Sequence, residues 1–218
     1  MRHAQVAYFE DGRPLRPDLV PLTDVGREQA RAAHDLLATI DFDRVITSGL
    51  PRTVETARIV ARTHEPESWP ELREIESGRL GDIPEDELEA AFVSAWHGVV
   101  PEDTPFLGGE TIRSLLDRVL PAIERLLADP DWDVVLAVLH GGVNRILIST
   151  ALAGERAYFG TFEQAPGCIN VLDRGADGWI VRTVNYVPYD PLHPARETTM
   201  EQLWLQLKPF VDRLHERS

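Results

Sequence analysis

Hydrophobic residues follow two kinds of spacing along this 218-residue chain. Two short runs, 43–48 and 134–139, are β-branched or apolar, and the second is apolar on both faces, as in a central strand of a parallel sheet. Apolar positions at helical spacing predict helices that begin near residues 23, 51, 85, 110, 143 and 198. This alternation predicts an α/β fold, a three-layer, doubly wound, mostly parallel sheet with helices on both faces.

Three helical segments carry more specific predictions. The first begins at the N-cap Thr23, and its apolar face is predicted to hold Val25, Ala30, Ala33, Leu37 and Ile40. Glu110 is predicted to open the most regular amphipathic helix, which Pro121 should kink or break. The tail, about 198–216, opens with a Thr198–Glu201 capping box and is interpreted as a helix that covers its own sheet. Its apolar face is predicted to hold Met200, Leu203, Trp204, Leu207, Val211 and Leu214.

Stretches rich in proline and glycine separate these elements. Residues 4–22 are predicted to form a loop, and 66–85 a loop around one short strand that holds Leu72 and Glu74. The runs 168–173 and 179–187 flank a turn-rich linker and predict an edge hairpin. All 218 residues are predicted to form a single domain.

Composition narrows the choice of partners and compartment. The chain has 22 basic and 36 acidic residues, and a net charge of −14 argues against nucleic acid and anionic membranes as partners. Its longest apolar run, 134–139, is too short to cross a bilayer. The single cysteine, Cys168, excludes an internal disulfide and is predicted to be a buried, unreactive thiol. A cytoplasmic protein without a targeting segment is therefore expected.

Candidate chemistry is concentrated at three predicted strand ends. Arg2 and His3, the 48–52 segment with Arg52, and His140 with Gly141 all fall where a doubly wound sheet binds ligands. Two imidazoles and two guanidiniums can hold a tetrahedral dianion while one neutral ring nitrogen attacks its phosphorus. A single histidine at a strand end is more often structural, but the co-occurrence of these residues favours a phosphate site.

Five segments in the same order as in a known family carry a resemblance. They are Arg2–Ala4, PLTDVGREQA, the segment 48–57, ELREIESG and His140–Gly142. Together they resemble the histidine phosphatase (phosphoglycerate mutase-like) superfamily over residues 2 to about 150. The resemblance implies a phosphomonoester hydrolase that acts on a small phosphorylated substrate through a phosphohistidine, with no metal and no cofactor.

The resemblance also implies a role for each candidate residue. His3 is the expected nucleophile, while Arg2, Arg52, His140 and the backbone amide of Gly141 hold the phosphoryl oxygens. Glu74 is the expected general acid. Glu76 remains an alternative because residues two apart on a strand share a face. Glu110 could be a second site carboxylate, although a helix first turn also favours an acidic residue.

Departures from the family pattern leave alternatives open. Ala4 replaces a glycine and requires a negative φ, and Phe9 replaces an asparagine expected to contact phosphate. No long basic insertion follows Gly78, which favours a phosphatase over a mutase. A phosphate-binding relative with little turnover and an oligomerisation role for the tail remain alternatives, and a homodimer is possible. Since His3 has almost no strand before it, the natural chain is expected to start upstream of Met1.

Overall fold

The computed structural model describes residues 1–10, 13–192 and 197–215. Three parallel strands form the centre of the sheet in the order β4 (Glu67–Ser68), β3 (Arg44–Thr47), β5 (Val135–Val138). Two hairpins are antiparallel: β1 (Phe9–Glu10) with β2 (Arg13–Pro14), and β6 (Ile169–Gly175) with β7 (Gly178–Tyr186). The predicted parallel strands and the predicted late hairpin are therefore confirmed.

The first three residues continue the sheet beyond β5. Arg2 forms a parallel bridge with Leu139, and the His3 amide donates to the Leu139 carbonyl at 2.9 Å. On the other side, the Arg2 amide donates to the Cys168 carbonyl at 3.0 Å, just before β6. This segment is thus inserted between β5 and the late hairpin, and His3 lies at the carboxyl end of the sheet.

In the part of the chain that the structure describes, six helices accompany these strands: α1 (Asp24–Leu37), α2 (Pro51–Val60), α3 (Glu85–Val93), α4 (Ile112–Leu127), α5 (Gly141–Ala153) and α6 (Thr199–His215). Single 3₁₀ turns occur at Pro17–Leu19, Pro70–Leu72, Leu80–Asp82 and Ser94–Trp96. Within the described ranges, no helix is long and apolar enough to cross a membrane.

Neighbouring residues of a strand point to opposite faces, so β3 contributes to two cores. Val45 packs with Ala33 of α1 and Ala57 of α2, whereas Ile46 packs with Leu116 of α4 and Ile146 of α5. Helices therefore cover both faces of the parallel sheet, as the alternating sequence pattern predicts.

The buried face of α1 differs from the prediction. Thr23 is the N-cap and accepts from the Gly26 amide at 3.0 Å, but Val25 is 51% exposed and Ile40 lies beyond the helix end. Ala30 and Ala33 are buried as predicted, and the other buried residues of the helix are Gly26 and Gln29. Since a side chain at Gly26 would collide with the Gln5 carbonyl, the helix approaches the N-terminal segment through its small residues.

The predicted start of α4 is also wrong, and of the two effects predicted for Pro121, a kink or a break, the break does not occur. The N-cap of α4 is Thr111, so Glu110 precedes the helix and is not in the first turn. Pro121 does not break the helix, which is continuous from Ile112 to Leu127. The apolar face on both sides of Pro121, with Val119 and Ile123 buried, keeps the helix packed on the sheet through that position.

The predicted strand around Leu72 and Glu74 does not form. Leu72 ends a 3₁₀ turn, and the segment that follows has no strand partner. The Arg118 guanidinium takes the place of a neighbouring strand, because it donates to the carbonyls of Glu71, Arg73 and Glu74 at 2.8, 2.7 and 3.0 Å.

The capping box of α6 is confirmed, but the predicted packing of that helix is wrong. The Glu201 amide donates to Thr198 Oγ1 at 3.2 Å, and the Thr198 amide donates back to the Glu201 carboxylate at 2.6 Å. Leu207 is buried against Leu88 and Phe92 of α3, so α6 packs on α3 instead of on the sheet. Val211 and Leu214, predicted for the same face, lie outside the residues whose side chains are described.

Candidate active site

Two neighbouring strand ends bring two histidines together. His3 follows the N-terminal segment, and His140 follows β5 and is the N-cap of α5. Their ring centroids are 5.3 Å apart with an interplanar angle of 64°, and both side chains are buried. The side chains of Arg2 and Arg52 are also buried, and both lie close enough to His3 for their charges to act on its imidazole.

His3 is held in one tautomer. Its Nδ1 lies 2.8 Å from the Ala4 carbonyl, and because a carbonyl only accepts, Nδ1 must carry the proton. Burial first, and then the charges of Arg52 and Arg2, lower the pKa of His3 well below its usual value. The ring is therefore neutral near pH 7 with a lone pair on Nε2. Ala4 has no positive φ, as the replacement of a glycine requires.

His140 is oriented through both ring nitrogens. Arg52 Nη2 donates to Nδ1 at 3.4 Å, which leaves the proton on Nε2, and Nε2 donates to Ser48 Oγ at 2.7 Å. Ser48 Oγ lies 3.1 Å from Thr53 Oγ1, which donates to the Leu50 carbonyl at 2.8 Å. Burial and then Arg52 lower the pKa of His140 well below its usual value. This one-way hydrogen-bond chain fixes the imidazole plane and its tautomer.

Both arginines are anchored to a backbone carbonyl, and each leaves its Nε without a partner among the described residues. Arg2 Nη1 donates to the Gln164 carbonyl, and Arg52 Nη1 donates to the Pro17 carbonyl at 2.6 Å. The Nε atoms of both are buried, and the described part of the chain offers neither an acceptor. Because buried donors are almost always paired, these two positions favour an anionic ligand between the arginines.

Glu74 faces the start of α5 across two glycines. Its carboxylate accepts from the Gly142 amide at 3.0 and 3.1 Å, and a Cβ at Gly142 would lie 2.5 Å from Oε1. A Cβ at Gly141 would lie 3.8 Å from Arg2 Nε and 3.6 Å from Glu74 Oε2. The glycine pair therefore lets the carboxylate approach the helix N-terminus beside Arg2.

The Glu110 carboxylate has structural contacts, and Glu76 takes part in them through its backbone. Glu110 forms an ion pair with Arg118 at 2.8 Å and accepts from the Glu76 amide at 3.0 Å. The Glu110 amide donates to the Glu76 carbonyl at 2.8 Å, while the Glu76 side chain is exposed. Together with Arg118, this pairing fixes the irregular segment that carries Glu74.

Sequence reasoning missed Arg118, Gln164 and Arg145. Gln164 is buried and fixes Arg2, from a position 162 residues away. Arg145 is buried one turn into α5, where Nε donates to the Gly160 carbonyl at 3.0 Å and the guanidinium stacks 4.7 Å over Trp96. These contacts join segments that are distant in sequence, so local patterns do not indicate them.

A cavity of about 480 Å³ opens from this site, with Arg2, Arg52, Glu74 and Gly141 in its wall. Among the described residues, no group of three or more His, Cys, Asp or Glu side chains is placed to hold a metal ion. Cys168 is buried as predicted, and burial raises the pKa of its thiol.

Comparisons with known proteins agree with this arrangement. Residues 1–187 match the family model described as Histidine phosphatase superfamily (branch 1). An adenosylcobalamin/alpha-ribazole phosphatase of Salmonella typhi is 35% identical over 70% of this chain and 78% of its own length. A Serratia proteamaculans protein named "Probable phosphoglycerate mutase GpmB" is 33% identical over 87% of this chain and 92% of its own length. The crystal structure of the alpha-ribazole phosphatase from Shigella flexneri has a TM-score of 0.68 at 29% identity, and the match covers 85% of this chain and 94% of that one.

Proposed function

The chain belongs to the histidine phosphatase superfamily, and on that premise we propose that His3 is the residue of this phosphomonoester hydrolase that takes up the phosphoryl group. One observation carries the assignment: His3 Nδ1 is bound to the Ala4 carbonyl, so Nε2 is the only nitrogen free to react.

In the first step, His3 Nε2 forms a bond to phosphorus while the bond from phosphorus to the ester oxygen breaks. Glu74 gives its proton to the departing alkoxide, which leaves as an alcohol. In the second step, Glu74 accepts a proton from water as the water oxygen bonds to phosphorus and the P–N bond breaks. The products are inorganic phosphate and neutral His3, and Glu74 is protonated again for the next cycle.

The phosphoryl oxygens are assigned to Arg2, Arg52, His140 and the Gly141 amide. The unpaired Nε–H groups of Arg2 and Arg52 support this assignment, since phosphate oxygens are the acceptors these buried donors lack. When the dianion arrives, Arg52 Nη2 would turn from His140 Nδ1 to a phosphoryl oxygen. His140 Nδ1 would then accept a second proton and donate it to another phosphoryl oxygen, because a nearby negative charge opposes the burial that lowers the pKa of His140. The fixed donors then stabilise charge that develops in the transition state.

A mutase is the second candidate, and the relative named as a phosphoglycerate mutase supports it. A mutase returns the phosphoryl group to another hydroxyl, whereas a phosphatase passes it to water. Analysis of 3-phosphoglycerate after incubation separates the two: a phosphatase releases inorganic phosphate, and a mutase yields the 2-phospho isomer.

Rapid-quench labelling tests the nucleophile. Mixing with ³²P-labelled phenyl phosphate should yield acid-labile, base-stable label on His3, and His3→Gln should abolish it. Label and turnover should persist in EDTA. Label on Ser48, or complete loss of activity in EDTA, would contradict the proposal.

We also propose a reducing, cytoplasmic location, supported by the single buried cysteine. The net charge of −14 supports a partner set without nucleic acid. The possible homodimer stays a prediction, which light scattering during size-exclusion chromatography checks.

A further inference from the structure

The cavity beside the phosphate site is apolar over most of its wall. Its carbon-lined part comes from several segments and includes Phe9, Leu15, Leu80, Phe92, Phe106 and Leu203. The charged residues that line it away from the phosphate site, Asp18, Arg73 and Glu76, have exposed side chains and form its rim.

An aromatic wall starts at the phosphate end of this cavity. Arg145 Nη1 lies 3.1 Å from the position that a Gly141 Cβ would occupy, and its guanidinium stacks over Trp96. The Trp96 ring is 5.3 Å from that of Phe106, which is 6.2 Å from that of Phe92 in α3. The alcohol part of a bound phosphate ester would therefore contact aromatic carbon between the phosphate site and the cavity mouth.

Helix α6 closes the side of the cavity next to α3. Its residues Met200, Leu203 and Leu207 line the cavity, and Leu207 is only 3% exposed. Leu205 of the same helix is 60% exposed and does not line the cavity. One face of α6 thus belongs to the binding site.

A small polar ester fits this wall poorly. Against the carbon of Phe92, Phe106 and Leu203, the hydroxyl or carboxylate of a glycerate or sugar phosphate would lose water without gaining a hydrogen bond, which costs free energy. Trp96 Nε1, which is buried and has no partner among the described residues, offers this wall one donor. At about 480 Å³ the cavity also exceeds what a phosphate group alone fills, and it lies in the range that holds drug-sized ligands.

We propose that the substrate is a phosphomonoester with a bulky, uncharged aryl or branched-alkyl leaving group, and that the inner face of α6 selects it. The inference rests on the proposed phosphatase function and specifies the substrate class of the same site. The leaving group lies along the Trp96–Phe106–Phe92 wall and against Leu203, while its rim-facing end reaches solvent.

A homologous series of n-alkyl phosphates from ethyl to octyl tests this with the unmodified protein. Leaving-group acidity hardly changes along the series, so any rise in kcat/KM reports contacts and not chemistry. We expect kcat/KM to rise about three- to fourfold per methylene until the cavity is filled, the value for a fully buried methylene. Butyl phosphate should also exceed 3-phosphoglycerate, which has a similar size.

Two variants of α6 assign the selectivity to its inner face. Leu203→Gln should reduce the ratio of octyl to ethyl phosphate kcat/KM at least about fivefold, the effect of losing roughly one buried side-chain contact of 1 kcal/mol or more. Leu205→Gln is the matched control and should leave the ratio unchanged.

The outcomes separate the inference from the function on which it rests. If ethyl phosphate is hydrolysed but kcat/KM stays flat along the series, the substrate class is wrong and the phosphatase stands. If no phosphomonoester is hydrolysed, both are wrong. If Leu205→Gln lowers the ratio as much as Leu203→Gln does, the role of the inner face is overturned.

Discussion

His140 Nε2 lies 2.7 Å from the Ser48 hydroxyl, although 92 residues separate them in sequence. Neither residue is at the surface, and the serine passes the hydrogen bond on to Thr53. Ser48 therefore acts as a positioning residue for His140 rather than as a nucleophile.

Removing this hydroxyl should weaken catalysis without removing the phosphohistidine. Ser48→Ala leaves the buried Nε2–H of His140 unpaired, and we expect kcat/KM to fall about tenfold, since an unsatisfied buried donor costs about 1–3 kcal/mol. Ser48→Thr keeps the hydroxyl and should recover most of the activity. If the alanine variant matches the native protein, the Ser48 bond does not orient His140.

Leaving-group chemistry tests Glu74 as the acid. Alkyl phosphates need a proton on the departing oxygen, whereas nitrophenolate leaves without one, so Glu74→Gln should lower alkyl phosphate hydrolysis by about 10²-fold or more. For nitrophenyl phosphate, the rate of the first step should fall much less, and burst kinetics measures that step separately. Glu76→Gln is the control and should be neutral. An equal loss with both substrates would refute the assignment.

Arg118 should influence catalysis from a distance through the segment it holds. Arg118 makes five contacts, two with the Glu110 carboxylate and three with backbone carbonyls. The three donors of a lysine ammonium cannot replace all five, so Arg118→Lys should loosen the segment that carries Glu74. We expect kcat/KM for an alkyl phosphate to fall about tenfold, with a smaller effect on nitrophenyl phosphate, as an effect of about 1.4 kcal/mol on the acid step. Arg125→Lys, in an exposed pair of the same helix, is the control. Equal losses with both substrates would indicate general unfolding instead.

The two ends of α5 should respond differently to added methyl groups. Gly142→Ala would place Cβ 2.5 Å from Glu74 Oε1 and displace the carboxylate, so kcat/KM should fall at least about tenfold with little loss of stability. Gly154→Ala meets no neighbour but forces alanine to φ near 71°, so it should cost about 1 kcal/mol of stability and leave kcat/KM unchanged. Chemical denaturation beside steady-state kinetics distinguishes the two, and a silent Gly142→Ala would remove the argument for close approach.

Acid should destabilise the fold through the buried histidines. The pKa of His3 is lowered well below 6.5 in the folded protein, mainly by burial, but stays near its ordinary value when unfolded. Below pH 6.5 the unfolded chain therefore binds a proton that His3 in the folded protein does not bind. The free energy of unfolding consequently decreases as the pH is lowered. Between pH 6.5 and 5.5, His3→Gln should lose up to about 1 kcal/mol less stability than the native protein. Parallel pH dependences in urea unfolding would contradict this.

Much of the fold could be predicted because it is encoded locally. The both-face apolar run of β5 and the Thr198 capping box are short-range signals, and both predictions are confirmed. The helix predicted after His140 also forms, but it begins at Gly141 and not at Val143, so the two glycines belong to its first turn. The packing face of α1 was missed because a close approach through Gly26 decides it, and helical periodicity does not register a missing side chain.

The residues that hold the site in place were harder to predict from the sequence than the residues assigned to the chemistry. Strand ends pointed to His3, Arg52 and His140, but the partner of Arg2 comes from Gln164 and the hold on Glu74 comes from Arg118. Such contacts depend on how distant segments meet. The interpretation of Glu74 and Glu76 as neighbours on a strand failed for the same reason, since a guanidinium substitutes for the missing strand.

Helix α6 adds to the proposed binding site a segment that lies outside the part of the chain that matches the family. Every residue assigned to the phosphate lies within 1–187, the part that matches the family, while the helix that completes the wall spans Thr199–His215. The phosphate residues and the aromatic wall thus share the range 1–187, while α6 adds its own part of the ester-binding wall from a later stretch of the chain. A transplant of this helix onto another family member could change which alcohol is released while the phosphorus chemistry continues undisturbed.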